Sequence, residues 1–272
     1  MQGCDERNPA IVPIASPDYT RLPAMPTPFY HLNLICDLCE MSGFPQLLRD
    51  EWPAFCFGNI APDAQTLTQQ ARAATHFFEV PMRDLTPAWR EMFRQYPALA
   101  RPAQMPPAQA AFLAGYLCHL GLDQLWIARI FEPVFGPEAG WETFSQRLFL
   151  HNTLRIHLDR LDVPKLRAGM GHTLQQAAPS GWLPFLADDD LRRWRDFVAD
   201  QLIDGAISQT VEVFAARMSL APTEFESLLQ SPTAMQAQIF DRLPLEQLAV
   251  FREQGLADSR AVLAEYITAP EA

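Results

Sequence analysis

AQAAFLAGYLCHLGLDQLWIARIF, residues 108–131, decides the fold. The stretch is apolar on nearly every side of a helix, and such a helix runs through the middle of a protein. It is also interrupted by His119, Asp123 and Arg129, so it lacks the purity of a membrane span. No other stretch comes closer to one, and a protein not integral to the membrane is expected.

Outward from this helix the helical reading continues. Before it, FCFGNIAP (residues 55–62) is a short apolar run ending in a turn, and Thr86-Pro87 opens a helix through residue 96. Leu32, Ile35, Cys36, Cys39 and Met41 sit near helical spacing. After it, residues 141–161 form a more amphipathic helix, and Asp188-Asp189-Asp190 caps a long one through residue 218. Three shorter helices follow. They start after Pro222, after Ser231-Pro232 and at Pro244, the last ending near residue 254 with Gly255 as its stop. No alternating run bounded by tight-turn pairs marks a strand, so the 24 prolines read as helix starts and loop breaks.

The expected architecture is therefore all-α, a single multi-helix domain with a buried metal site. Residues 1–28, with six prolines between Pro9 and Pro28, read as an extended arm. Residues 29–180 read as the metal-binding helical core, and residues 181–272, without His or Cys, as a C-terminal helical layer on the same domain.

Composition excludes several classes of function. Hydrophobic residues are 49% and charged residues 19%, which is globular rather than disordered. The net charge of -11 comes with no basic stripe, so binding to a nucleic-acid polymer is not expected. MQGCDERNPAIVPIASPDY lacks the apolar centre of a signal peptide, and a cytoplasmic protein is expected. Cys4, Cys36, Cys39, Cys56 and Cys118 are odd in number and irregular in spacing, which suits reduced thiols. Cys36 and Cys39 form a CxxC with no second pair, and buried free thiols are the simpler reading than zinc or redox chemistry.

The histidines and carboxylates carry the functional signal. His119 and Asp123 lie four apart, so both leave one face of the apolar helix, one turn apart. An unpaired buried Asp is costly; a metal ion removes that cost, and so does a hydrogen-bonded His–Asp pair. Alone, Asp63 in FGNIAPDA reads as a helix cap and His76 in ATHFFEVP as a core histidine. Together the four make a two-His, two-carboxylate set suited to zinc or another borderline divalent ion.

The succession PTPFYHLNL, FCFGNIAPDA, ATHFF and AFLAGYLCHLGLDQLW resembles the bacterial zinc-dependent phospholipase C family, over residues 25 to 160. That family is all-helical and fold-related to the single-strand nucleases of the P1 type. The resemblance implies that Asp63, His76, His119 and Asp123 hold a core zinc. It implies that Asp123 bridges to a neighbouring ion and that His31 binds that ion. It further implies phosphodiester hydrolysis by metal-bound water, with Asp63 orienting or deprotonating that water. One to three zinc ions, or another divalent metal, are the expected cofactors.

Two departures from the family are visible. Some thirty residues precede His31, where the secreted enzymes close the site with a processed N-terminal Trp. The later His-x3-Glu of a further zinc is met here only by His151, whose partner four residues on is Arg155. His151, Arg155 and Asp159 recur every four residues on one helical stripe. Either His151 joins the cluster and Arg155 grips a substrate phosphate, or the stripe is a solvated face with an Asp–Arg pair. His157 and His172 read as surface residues.

The expected activity is thus metal-dependent hydrolysis of a phosphodiester or phospholipid-like small substrate. Two alternatives stand beside it: a cytosolic phosphoesterase on a small phosphorylated metabolite or nucleotide, and a non-catalytic helical interaction protein with a structural metal site. Carboxylate-rich ligation favours an open, catalytic site over a structural one.

Overall fold

In the computed structural model, which describes residues 26–68, 70–84, 86–203 and 205–268, every regular element is helical. In chain order these are α1 (Pro28–Glu40), α2 (Gln46–Asp50), α3 (Trp52–Gly58), α4 (Ala73–His76), α5 (Ala88–Gln95), α6 (Pro107–Trp126), α7 (Phe144–Asp162), α8 (Met170–Gln175), α9 (Asp188–Asp200), α10 (Thr210–Met218), α11 (Pro222–Leu229), α12 (Pro232–Met235) and α13 (Leu245–Ile267). The all-α reading holds for the described residues. Of the extended arm expected over residues 1–28, residues 1–25 lie outside them. Its last residues belong to the fold, because Thr27 is buried and Pro28 already opens α1.

α6 is the expected central helix, buried continuously from Ala110 to Leu120. It passes into a π-helical stretch, Ile127–Phe135, containing Pro133. A proline there offers no amide to the helical ladder, and the wider turn accommodates the loss. On one side α3 crosses α6 with the two backbones in contact. A Cβ on Gly58 would stand 1.9 Å from the Phe112 carbonyl oxygen, and one on Gly115 would stand 2.2 Å from that of Phe55. Only glycine fits at either place, and the crossing seats Asn59 directly over α6.

Three boundaries differ from expectation. Residues 55–62 are the end of α3 and the start of a 3₁₀ helix, Ala61–Leu67, rather than a bare run and turn. The long helix expected from residue 188 to 218 is two helices. The chain turns at Gly205 (φ 84°), and the Gln201 side chain accepts from the Gln209 amide at 2.8 Å. The break lets α10 fold back on α7, where Phe214 and Ile156 share an apolar cluster. Gly255 ends nothing: it lies inside α13, where its missing side chain makes room for Leu122 and Leu34. A stop glycine and a close-packing glycine look alike without the neighbouring helix.

The C-terminal helices complete the same core. The Trp194 indole donates to the Ile60 carbonyl at 2.6 Å, and Leu263 and Tyr266 join the main cluster beside Leu120. No helix among the described residues is long and apolar enough to cross a membrane.

Candidate metal centre

Four segments deliver side chains to one point. α1 carries His31, the 3₁₀ helix Ala61–Leu67 carries Asp63, α4 carries His76, and α6 carries His119 and Asp123. His76, His119 and Asp123 are 0% exposed, His31 is 1% and Asp63 6%, so Asp63 is the most exposed of the five. α4 stops immediately after His76 because Phe77 turns left-handed (φ 59°).

Asp123 is the hub. Its Oδ2 lies 3.3 Å from both His76 Nε2 and His119 Nε2, and its Oδ1 lies 3.3 Å from His31 Nε2. His76 Nε2 and His119 Nε2 are 3.4 Å apart, and His76 Nε2 is 3.5 Å from Asp63 Oδ1. Ligand atoms bound about 2.0–2.1 Å from a tetrahedral ion stand about 3.3–3.4 Å from one another. The distances from His76 to Asp63, His119 and Asp123, and from His119 to Asp123, match the spacing of ligands around an ion. Two ring-nitrogen lone pairs facing each other at this distance repel, so either one nitrogen carries its ring proton or a metal ion lies between them.

The imidazoles are turned for this. His119 Nδ1 is 2.7 Å from the Asn59 carbonyl oxygen, which can only accept, so Nδ1 carries the proton and Nε2 offers its lone pair. His76 Nδ1 faces Thr75 Oγ1 at 3.0 Å and the Arg72 carbonyl at 3.3 Å, which leaves its Nε2 inward as well. His31 stacks on His119 with centroids 4.0 Å apart, and neither His31 nitrogen nor Asp123 Oδ1 makes a hydrogen bond among the described residues. Buried polar atoms left this way are rare. The donor set is therefore fit for a divalent ion. Two groupings converge, one of Asp63, His76 and His119 and one of His31, His119 and Asp123, and both need His119.

Burial works against every charge here, and proximity reverses it for the carboxylates. Burial would lift Asp63, but the His76 hydrogen bond and His119 hold it below its usual range. Burial would likewise lift Asp123, which His119, His31 and His76 hold well below. Burial, with His119 beside it, pushes His31 down to about 4. Burial would lower His119 too, but Asp123 and Asp63 raise it. Arg72 Nη2 also reaches Asp123 Oδ2, at 3.0 Å.

The stripe on α7 is buried rather than solvated, and it divides into three environments. His151 is not brought to the centre. Its Nε2 accepts from the Trp126 indole at 3.1 Å, and its ring packs among Trp126, Phe131 and Phe135. A nitrogen used this way has no lone pair left for an ion. Arg155 lies over the Phe214 ring, 4.4 Å from its centroid, and lines a cavity of about 70 Å³ that also contains Asp63. Asp159 accepts from the Thr27 and Thr210 hydroxyls, which ties the starts of α1 and α10 to α7. His157 is half-buried against Phe240 rather than on the surface, while His172 is exposed. Cys36 and Cys39 are free, buried thiols outside both ligand groupings.

Burial lifts the Asp159 carboxyl to about 7, against the opposing pull of the two hydroxyls and Arg155. Its stabilising contribution is complete below its unfolded value, about 4, and is lost as pH rises through about 7. Asp159→Asn keeps an acceptor oxygen and buries no charge. Its melting temperature relative to the parent should therefore climb between about pH 4 and pH 8. A difference that stays flat across this window would show that no charge is being buried at Asp159.

Three contributors escape sequence reasoning. The Asn59 carbonyl is backbone and leaves no signature. Arg72, four residues before His76, carries no signal in the sequence, and the fold brings it to Asp123. Arg217 sits in a segment with no metal chemistry of its own, yet it faces the same cavity as Asp63 and Arg155. Compared with family models, with curated proteins and with solved structures, the chain matches none.

Proposed function

We propose that this chain is a hydrolase of phosphoric esters, working with one divalent ion, zinc by its donor set, held by Asp63, His76, His119 and Asp123. One observation carries the reading. The most exposed member of the cluster, Asp63, lines a cavity that Arg155 also lines. A carboxylate edge of a metal set facing a buried cation is an arrangement for an anionic ester. The ordered likeness to zinc-dependent phospholipases C supports the same chemistry.

Such an ion supplies Lewis acidity toward a phosphoryl oxygen and toward water. The chain's own residues do the rest. Asp63 lies where it can accept a proton at the cavity edge, Arg155 binds a phosphoryl oxygen, and the surrounding helices exclude bulk solvent. Arg72 offsets one of the two carboxylate charges. One ion is the proposed number because His119 has one lone pair to give and both groupings need it. A second ion would have only His31 and Asp123 as protein ligands.

A second reading is favoured by the depth of the site, since His76, His119 and Asp123 are wholly buried. In that reading the ion only staples the 3₁₀ helix Ala61–Leu67, α4 and α6 together. The two separate on one experiment, which measures metal content by elemental analysis and turnover on p-nitrophenyl phosphate and bis-p-nitrophenyl phosphate. We expect close to one ion per chain and turnover that chelator abolishes. A metal-loaded chain that cleaves neither ester leaves the staple.

A further inference from the structure

We propose, on the reading of the centre as a metal site, that Arg72 competes with the divalent ion for one oxygen of Asp123 and so sets how loosely the metal is held.

The shared oxygen is Oδ2. It lies 3.3 Å from both His76 Nε2 and His119 Nε2, so it is the Asp123 atom placed to bind the core ion. The same oxygen is 3.0 Å from Arg72 Nη2, which donates to it. Arg72 is anchored where it stands. Its carbonyl accepts from the His76 amide at 3.0 Å, and Tyr116 on α6 donates to the Thr75 carbonyl at 2.6 Å, which pins the short helix α4 to α6. Its guanidinium lies over the Phe78 ring, 4.5 Å from the centroid. Nε and Nη1 are buried without a hydrogen-bond partner among the described residues. Of the three guanidinium nitrogens, Nη2 alone is satisfied there, and its partner is Asp123.

Charge gives this contact its sign. Without an ion, Asp63 and Asp123 bring two negative charges into the interior, and Arg72 offsets one of them at contact distance. A divalent ion cancels both. Any ring proton on an imidazole leaves as the ion takes the lone pair, whereas a guanidinium does not give up its proton. Arg72 is then a surplus positive charge beside a dication, in an interior that screens poorly. It stabilises the empty centre more than the loaded one, and by linkage it weakens ion binding. The usual outer partner of a metal-bound histidine is an acceptor that strengthens the ligand, and losing one costs about 10–100-fold in affinity. A cation donating to the ligand oxygen works in the opposite direction.

The test is the zinc affinity of the full chain, measured by competition with a chromogenic chelator for the parent, Arg72→Gln and Arg72→Lys. We expect Arg72→Gln to bind zinc about tenfold more tightly or better, because a like charge has left the ion's surroundings. Arg72→Lys keeps the charge and should stay close to the parent. Melting curves supply a second readout. With zinc removed, Arg72→Gln should melt below the parent, and added zinc should raise its melting temperature by more than it raises the parent's. If Arg72→Gln folds only with metal, the rate at which excess chelator strips the loaded protein is measured instead, and it should be about tenfold slower than for the parent. Unchanged or weaker affinity, or faster zinc loss, in Arg72→Gln overturns the proposal and leaves Arg72 as a support that orients Asp123. A parent chain that binds no zinc overturns the metal reading itself, and the competition with it.

Discussion

Asp123→Ala should lower the melting temperature by about 6–20 °C and leave the protein without tightly held metal. The carboxylate faces three imidazole nitrogens at 3.3 Å and the Arg72 guanidinium at 3.0 Å, all in the interior. Taking one partner out of a buried ionic cluster costs about 3–5 kcal/mol, because the charges left behind stay buried. In a domain of this size each kcal/mol is worth about 2–4 °C. The diagnostic comparison is with chelator. An ion that binds only the folded chain adds stability by mass action, so chelation should lower the parent's melting temperature and leave the variant's unchanged. If chelator shifts both proteins alike, or neither, these residues do not hold an ion.

Asp63→Asn separates proton transfer from metal binding. Asn still offers an oxygen to the ion but cannot accept a proton. Loss of a general base costs roughly a hundredfold or more in turnover. The variant should therefore keep its metal and most of its melting temperature, and lose about two orders of magnitude or more in kcat on p-nitrophenyl phosphate. Asp63 is the site for this substitution because it is the cluster's one cavity-facing member and bears less of the packing than Asp123. Undiminished kcat in a metal-loaded Asp63→Asn protein would remove Asp63 from the chemistry. Lost metal together with lost activity would instead make it a ligand alone.

Much of the fold was legible because helices carry local marks. The apolar run of α6, the acidic first turn of α9 and the prolines at Pro222 and Pro232 each act within one or two turns. The errors fell where a local mark has two meanings. Gly255 reads as a stop but is a contact with Leu122, and the stretch between α9 and α10 reads as continuous helix because its apolar spacing persists across the turn at Gly205. His151, Arg155 and Asp159 share a stripe, but their fates diverge because α6, α10 and α1 each cover a different turn of α7.

By itself the sequence determined the helical class and the pairing of His119 with Asp123, since a spacing of four on an apolar helix puts both on one face whatever surrounds them. It also offered Asp63 and His76 as completing a two-His, two-carboxylate set, while His31 entered only through the resemblance to the zinc-dependent phospholipases C. Only the tertiary structure decided that these five meet, that the Asn59 carbonyl fixes the His119 tautomer, that Arg72 shares Asp123, and that Arg217 stands across a cavity from Arg155. The reason is range. Periodicity and capping act over a few residues of backbone, whereas the centre depends on where α3 crosses α6 at Gly58 and Gly115 and on α10 folding back on α7. Those contacts join parts of the chain far apart in sequence, and no local pattern records them.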